Sequence, residues 1–206
     1  MHSVRFIILF FLIVGLSGVF FGVQAYYKGF SYDPTLIRPI IDPFPPPTPQ
    51  LAMPVVKKST VTSPDGIMES AMQTTQKETS VDYLLTSRAL SSEKSKTIFR
   101  TQGEKDEFSL PQNSWSPDNK YLFITQVQGA SVSALVFKAS GESFTNGDQY
   151  IDVLPLFTKR DSGYAISDIT GWDSETLLHI LTKKGSEIGP SFWFEVPSNA
   201  FYQLAR

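Results

Sequence analysis

A turn-and-strand motif that occurs three times is the feature that most constrains the fold of this chain. The best copy, WSPDNKYLFI, begins at Trp115, and its turn SPDN matches an SPDG upstream. A third copy reads GWDSETLLHIL, so that Asp118 follows Asp65 by 53 residues and Trp172 follows Trp115 by 57 residues. A repeat of this length is typical of arrays in which each copy is one supersecondary unit. The chain is therefore expected to fold as three similar units.

Each turn is followed by further short runs that predict β-strands. These runs are rich in β-branched and aromatic residues and are bounded by Gly, Pro, Ser, Asn or Asp. They are VDYLLTS and KTIFRT in the first copy, VSALVFKA and YIDVLPLF in the second, and SFWFEV and AFYQLA in the third. The run directly after the first turn, Ile67–Met72, is a poor strand sequence. Each unit is predicted to hold about four strands, with the Trp filling the layer between neighbouring sheets.

The chemistry of the turn explains its recurrence. Pro presets φ for the second turn position, Asp bonds its own backbone, and Gly or Asn tolerates a positive φ. Such a turn reverses the chain sharply between an incoming strand and the next strand.

The stretch from Trp115 to Ile124 resembles the W-S-P-D-G-K motif of TolB-like β-propellers, which also marks the propeller domains of prolyl-oligopeptidase-type peptidases. The resemblance covers residues 60–206 and implies four-stranded blades of the TolB or WD type. Rings of this family usually need about six or more blades. Three arrangements remain: a homodimer that closes one ring, a hetero-partner, or a twisted antiparallel β-sandwich, which is preferred. The expected fold class is all-β, partly propeller-like or a sandwich, preceded by one transmembrane helix.

The N-terminal residues predict a membrane anchor. Residues 6–25, FIILFFLIVGLSGVFFGVQA, carry no charge, and about 20 apolar residues suffice to cross a bilayer as a helix. The letters YYK follow at once, as an interfacial belt would. Residues 1–27 are therefore predicted to be a single-pass span at the cell membrane, with the bulk of the chain extracytoplasmic. The alternative is a signal peptide cleaved after VQA, which would leave the protein secreted or periplasmic.

A Pro-rich extended linker is predicted for residues 28–57. Eight prolines fall between Asp33 and Pro54. Proline removes the backbone N–H and restricts the residue before it, so helix and sheet are both disfavoured. The segment is expected to be a stiff stalk with polyproline II character, and a ligand for a Pro-recognition domain is the alternative. Residues 58–206 are assigned to the all-β repeat domain.

Composition and the lack of known motifs exclude several functions. The formal net charge is −2 with scattered Lys and Arg, which argues against nucleic acid as a partner. The chain has no Cys, so disulfides, thiolate metal sites and cysteine nucleophiles are excluded. No G-x-S-x-G elbow and no Gly-rich phosphate loop occurs. The sequence therefore predicts no catalytic residue, cofactor or metal, and the protein is expected not to be an enzyme.

Acidic and imidazole side chains near the repeated turn are candidate ligands. Asp65, Asp118 and Glu175 recur there and could surround a cation, but Asp in a turn usually bonds the backbone. His179 lies in the apolar run LLHIL, and the only other His precedes the apolar segment. One histidine gives no His-rich metal site and would have to serve any catalytic triad alone. These residues are expected to be turn formers and a packed histidine.

Two further features are candidates for contact with a ligand. The polar loop Gly141–Gln149 could touch a ligand, since functional residues favour loops, or it could simply be solvated. Trp172 and the run Phe192–Phe194 could bind carbohydrate or peptide, although alternating aromatic residues in strands are usually core, which is the prediction here.

The sequence as a whole predicts a membrane-anchored, extracytoplasmic, non-enzymatic binding or scaffold module of the cell envelope. Its expected partners are the membrane, through the N-terminal helix, and a protein or a second copy of the chain. One alternative is a regulatory or accessory propeller of an envelope hydrolase or peptidase. The other is a purely structural, self-associating envelope protein.

Overall fold

The computed structural model describes residues 54–104 and 106–205, and these residues belong to one compact unit. The described part is all-β apart from one short helix, as predicted. Its strands are β1 Val55–Thr62, β2 Met68–Gln76, β3 Val81–Ala89, β4 Ser95–Gly103, β5 Asp106–Ser109, β6 Tyr121–Gln128, β7 Ser131–Lys138, β8 Ile151–Asp152, β9 Ala165–Trp172, β10 Leu177–Lys184, β11 Glu187–Ile188, β12 Phe192–Glu195 and β13 Ala200–Gln203. Helix α1 spans Val153–Arg160, between β8 and β9.

The predicted membrane anchor, residues 1–27, and most of the predicted linker lie outside the described residues. Within the ranges that are described, no helix has the length and apolar character that a membrane span needs. The first strand, β1, begins at Val55 and pairs with β2 from that residue onward.

Consecutive stretches of the chain form three antiparallel sheets. Sheet 1 has the order β1-β2-β3-β4, and sheet 2 has the order β5-β6-β7-β8. In sheet 3 the order is β11-β10-β12-β13, and β9 also pairs with β10. The strand predictions for the third copy are confirmed, because LLHIL, SFWFEV and AFYQLA contribute β10, β12 and β13. Consecutive strands are neighbours in sheets 1 and 2, and in sheet 3 they are neighbours except for β11 and β12, which both pair with β10, so every unit forms from local connections.

Strand β2 corrects one sequence expectation. The run after the first turn looked like a poor strand, yet β2 is a regular strand of nine residues from Met68 to Gln76. It pairs along its whole length with both β1 and β3, and Met72 is 2% exposed in the core. Ladder pairing on two sides and burial of Met72 outweigh the weak local preference.

Helix α1 corrects another expectation, that YIDVLPLF is a strand. Only the two residues of β8 pair with β7, and the helix begins directly after them. Asp152 caps the helix by accepting a backbone N–H of its first turn. Pro155 falls in that first turn, where its missing N–H leaves no bond unmade. Val153 and Phe157 lie one turn apart and are both buried, so the helix covers part of the core.

Two hydrophobic layers hold the three sheets together. Side chains of sheets 1 and 2 share one cluster, which includes Leu85 and Phe137. Side chains of sheets 2 and 3 share the other, which includes Phe123, Phe192 and Phe194. Sheet 2 is therefore covered on both faces, whereas sheets 1 and 3 each have one face outside these layers. Complete burial of one such Phe contributes about 2 to 3 kcal/mol.

Two tryptophans tie each sheet to the sheet before it. Trp115 is buried between sheets 1 and 2, as predicted, and its Nε1 donates to the carbonyl of Val61 at 3.3 Å. Trp172 packs between sheets 2 and 3, and its Nε1 donates to the carbonyl of Ser114 at 3.0 Å. Val61 and Ser114 each directly precede the tryptophan position of their own copy. The same contact thus joins equivalent points of successive units.

The repeated turns lie together at one end of the three sheets, here called the turn-side end. They connect β1 to β2, Trp115 to β6, and β9 to β10. Trp115 bridges Leu122, and Trp172 pairs with Leu178, so the two copies match in space as they do in sequence. The opposite end, here called the far end, carries the β2–β3 and β6–β7 hairpins.

Candidate functional site

The turn at Ser116–Asn119 is closed by its own side chains. The Ser116 hydroxyl donates to Asp118 Oδ1 at 2.8 Å and accepts the N–H of Tyr121 at 2.9 Å. Asp118 Oδ1 also accepts the N–H of Lys120 at 3.2 Å, and its Oδ2 lies 2.8 Å from Lys120 Nζ. Asn119 takes a positive φ of 61°, which Asn tolerates. Asp118 is thus engaged as a turn former.

The turn at Ser63–Gly66 repeats this geometry. The Ser63 hydroxyl donates to Asp65 Oδ1 at 2.5 Å and accepts the N–H of Met68 at 2.9 Å. Gly66 occupies the position of positive φ, at 71°. The hydrogen bond from Ser63 is the main reason why the pKa of Asp65 is lowered from its usual value. For Asp118, burial opposes ionisation, but hydrogen bonds from Lys120 and Ser116 prevail and also lower the pKa.

The third turn is one residue shorter and uses a different side chain. Ser174, not Glu175, accepts the backbone N–H groups of Thr176 and Leu177, at 3.4 and 3.2 Å. The Glu175 carboxylate forms no hydrogen bond within the described residues. Glu175 therefore aligns with Asp118 in the sequence but does not close its turn as Asp118 does. No group of three or more His, Asp or Glu residues in the described ranges is placed to hold a metal ion.

His179 lies in β10 with its ring among polar partners. Its Nδ1 is 2.9 Å from Thr170 Oγ1 and 3.7 Å from Asp173 Oδ2. The same Asp173 oxygen accepts the Trp193 indole N–H at 2.6 Å. His179 Nε2 is buried and has no hydrogen-bond partner in the part of the chain that the structure describes. In a hydrolytic triad the nucleophile and the carboxylate face opposite ring nitrogens, whereas here hydroxyl and carboxylate share one nitrogen.

The aromatic residues of the run Phe192–Phe194 lie on alternate sides of their strand. Phe192 and Phe194 are fully buried between sheets 2 and 3, as expected for core residues. Trp193, between them, points to the opposite side of sheet 3 and is only partly buried. Core packing was predicted for this run, and it holds for the two phenylalanines but not for Trp193.

Three aromatic rings stack at the turn-side end. Tyr121 lies between Phe144 and Trp172, with ring centroids 6.4 and 6.0 Å apart and interplanar angles of 1° and 19°. Trp172 also meets the edge of Phe123, so the stack continues into the core. Phe144 comes from the loop Gly141–Gln149, which the sequence had marked as a polar excursion. This loop therefore carries an aromatic side chain to the first residue of β6.

A cleft of about 320 Å³ opens beside this stack. It is lined by Asn119, Lys120, Tyr121, Lys138 and Ser140. This turn-side cleft offers an apolar ring wall with ammonium groups at its edge, the composition of a site that orients a ligand by a few polar contacts.

The charges of the turn-side cleft have identifiable partners. Lys138 Nζ donates to the carbonyl of Ser143 and lies 5.6 Å from the centre of the Phe144 ring. It forms no ion pair within residues 54–104 and 106–205, whereas the pKa of Lys120 is raised by its hydrogen bond with Asp118. Burial raises the pKa of the Tyr121 phenol, which stays protonated and can donate.

Sequence reasoning missed Tyr121, Lys138 and Phe144 as a group. Tyr121 and Lys138 are paired neighbours on β6 and β7, a relation that depends on strand register. Phe144 was the one aromatic residue in an otherwise polar loop, and that exception was the available signal.

A larger cleft of about 550 Å³ lies at the far end, between sheets 1 and 2. Its walls include Lys57, Glu104, Asp106 and Glu107. Burial raises the pKa of Tyr83, which donates to the carbonyl of Asp106 at 3.0 Å. The aromatic rings here, Tyr83 and Phe108, contact each other edge to face at 5.0 Å and belong to the core.

Comparison with known proteins finds likeness in fold only. No family model matches the chain, and no curated protein matches it. Among solved structures, the isopeptidase AtxE2 without ligand aligns with a TM-score of 0.52 at 11% identity, over 74% of this chain and 31% of that one. A serine-to-alanine variant of the same isopeptidase with Astexin3-dC4 bound gives a TM-score of 0.51, with the same identity and coverage. The chain thus spans about a third of the length of the solved chains that it resembles.

Proposed function

We propose that this protein is a non-enzymatic binding or scaffold module, with residues 1–27 as its membrane anchor and the described sheets as its extracytoplasmic part. The three sheets then act as three propeller-like blades of the TolB type. Support for this reading comes from the apolar N-terminal sequence, the Pro-rich stretch after it, and three meander sheets that share one turn motif.

The observation that carries the proposal is the turn-side cleft. It is lined by the Tyr121 ring, which stacks with Phe144, and by the ammonium-bearing side chains of Lys120 and Lys138. Asp118 neutralises Lys120, so Lys138 supplies the unbalanced positive charge. A protein segment with an apolar side chain beside a carboxylate matches this arrangement, because the rings take the apolar group and Lys138 takes the charge.

Photo-crosslinking in intact cells tests this function. A photo-reactive phenylalanine replaces Ser140 at the rim of the cleft in the full chain, and in a matched variant it replaces Ala130 in the exposed β6–β7 hairpin at the far end. The expected result is an adduct with another protein at position 140 that is absent at position 130. Alkaline extraction of the same cells should leave the full chain in the membrane pellet.

Reversal of the Lys138 charge tests whether the partner segment in the cleft is acidic. Lys138→Glu should reduce the adduct at position 140 by about tenfold, because one lost charge contact with an acidic segment is worth about 1.4 kcal/mol. Lys159→Glu, at an exposed lysine of α1 that does not line the cleft, is the matched charge reversal and should leave it unchanged. Adducts of equal yield at both positions, or none at position 140, would contradict the proposal.

The second candidate is an accessory propeller of an envelope peptidase. The observation in its favour is the structural likeness to an isopeptidase, together with the WSPDNK motif. The same experiment separates the candidates, because here the adduct would contain a peptidase whose activity changes when this chain is deleted.

A further inference from the structure

The stack of sheets has two uncovered faces that differ in chemistry. The outer face of sheet 3 consists of the residues of its strands that point away from sheet 2: Asp168, Thr170, Leu177, His179, Leu181, Lys183, Trp193, Glu195 and Tyr202. Tyr202 is 52% exposed and pairs across strands with Trp193, which pairs with His179. Leu177 and Leu181 are partly exposed on either side. This face therefore presents a protruding aromatic row between two leucines.

The outer face of sheet 1 is polar and contains hollows. It consists of the residues that point away from sheet 2: Val56, Lys58, Thr60, Thr62, Glu69, Ala71, Gln73, Thr75, Asp82, Leu84, Thr86, Arg88, Thr97, Arg100 and Gln102. Two clefts open there, one of about 390 Å³ over Leu84 and Arg100 and one of about 300 Å³ over Ala71 and Lys58. These hollows are large enough to receive aromatic side chains as anchors.

The charges of the two outer faces are complementary. On sheet 1, Arg88 pairs with Glu69 and Asp82 pairs with Lys77, but Lys58 and Arg100 form no ion pair among the described residues. On sheet 3, the exposed Asp168 and the half-buried Glu195, which accepts from Ser198, exceed the single Lys183 in charge. The outer face of sheet 1 thus has a surplus of positive charge, and the outer face of sheet 3 has a surplus of negative charge. This difference favours contact between two unlike faces over contact between two like faces.

The repeated tryptophan contact supplies the register for such a joint. Trp115 and Trp172 occupy the same position of their copies, and each donates to the unit before it. In the first copy, Thr62 occupies the tryptophan position. Thr62 pairs with Glu69 on the strand after its turn, just as Trp115 bridges Leu122 on the strand after its own turn. Thr62 is exposed on the outer face of sheet 1, where the first unit has no preceding unit among the described residues.

We propose that the outer face of sheet 3 docks on the outer face of sheet 1 of a second copy, head to tail, and so continues the stack from one chain to the next. Trp193 and Tyr202 enter the two clefts of the second copy. Thr62 of that copy lies opposite the backbone of Gly171, the residue that corresponds to Val61 and Ser114 in the two internal joints.

Single-cysteine chains test the contact against a clean background, because the native chain has no Cys. Full-length Gln73→Cys, on the outer face of sheet 1, and Lys183→Cys, on the outer face of sheet 3, carry different tags and are mixed with a short bifunctional thiol reagent. Thr145→Cys, in the exposed loop after β7, is the matched control for chance collision. The expected product is a mixed adduct that joins the Gln73→Cys chain to the Lys183→Cys chain, at least about tenfold above any adduct of the control.

Each other product would overturn the proposal. An adduct of the Lys183→Cys variant with itself would show that two sheet 3 faces meet, and absence of any specific chain-to-chain adduct would show that this face binds a different partner or none. Native mass and circular dichroism of each variant establish that it folds before the reaction is run.

A gain-of-function variant tests the register independently. Thr62→Trp restores the indole of the internal joints and should strengthen self-association by about tenfold, whereas Thr60→Trp, on the same strand face, should not. Equal effects of both substitutions would exclude the proposed register. These tests do not involve the turn-side cleft. Absence of the chain-to-chain contact with retention of the adduct at position 140 would leave the proposed function standing. Absence of the adduct at position 140 with retention of the chain-to-chain contact would reject the proposed function alone.

Discussion

The carboxylate of Asp118 makes several of the contacts that hold its copy of the repeated turn. Asp118 accepts from the Ser116 hydroxyl and from the Lys120 backbone, and it pairs with the Lys120 ammonium. Asp65 repeats the first two of these roles with Ser63 and the backbone of Ile67. The first two copies of the turn thus depend on an ionised acid, whereas the third uses Ser174.

The lowered pKa values of Asp65 and Asp118 predict a loss of stability in acid. A carboxylate whose folded pKa lies below its unfolded value stabilises the fold above the unfolded pKa, and that contribution disappears as the pH falls through the folded pKa. The free energy of unfolding should therefore fall between about pH 5 and pH 2. In the double variant Asp65→Asn and Asp118→Asn this fall should be smaller, as measured by urea unfolding across that range. If the free energy of unfolding of the double variant differs from that of the wild type by the same amount at about pH 5 and at about pH 2, the assignment is contradicted.

These turn residues were predictable because their contacts are local. Ser, Pro and Asp act within a span of five residues, so the sequence alone indicates their role. His179 was not predictable in the same way. Its partners Thr170, Asp173 and Trp193 come from β9, the turn and β12, and only strand register brings them together.

At the scale of elements, β8 and α1 show where a repeat is interrupted. The second copy should end in a full strand, but Pro155 cannot donate to a ladder and Asp152 starts a helix instead. The Asp152 carboxylate also accepts the Ser133 hydroxyl at 2.6 Å, which fixes the cap to β7. Sequence reasoning gave weight to the apolar letters of YIDVLPLF and too little to the Asp and Pro within them.

Removal of the helix cap should destabilise the domain measurably. Asp152→Ala removes the carboxylate that accepts the Leu154 N–H and the Ser133 hydroxyl, at a cost of about 1 to 2 kcal/mol. Glu142→Ala, in the exposed loop, is the matched control and should change the free energy of unfolding by less than about 0.5 kcal/mol. Urea unfolding followed by circular dichroism measures both, and equal effects would argue against the cap.

For the whole molecule, the order and pairing of strands followed from the sequence better than the surfaces did. Repetition of the turn indicated three successive units, and short connections made each unit a meander. The identity of the exposed faces could not be predicted, because alternation along a strand does not reveal which side meets another sheet. Trp193 and Tyr202 illustrate this, since they alternate with Phe192, Phe194 and Phe201 yet face outward.

The three tryptophans should contribute unequally to the stability of the stack. Trp115→Phe and Trp172→Phe remove the indole donors that join one sheet to the next, and each should lower the free energy of unfolding by about 1 to 3 kcal/mol. Trp193→Phe removes a bond to Asp173 within sheet 3 and should cost less than about 1 kcal/mol. Urea unfolding monitored by circular dichroism compares them, and an equal loss for all three would rule out a special role for the links between sheets.

The direction of the first and last strands has a consequence for how this unit can be displayed. Val55 pairs with Gln76 and Gln203 pairs with Phe192, so the chain enters and leaves the described unit at the far end. A unit whose entry and exit share one end can be inserted into, or fused at either terminus to, another polypeptide with little disturbance. A fluorescent reporter joined before Val55 or after Gln203 would therefore leave the turn-side end unobstructed.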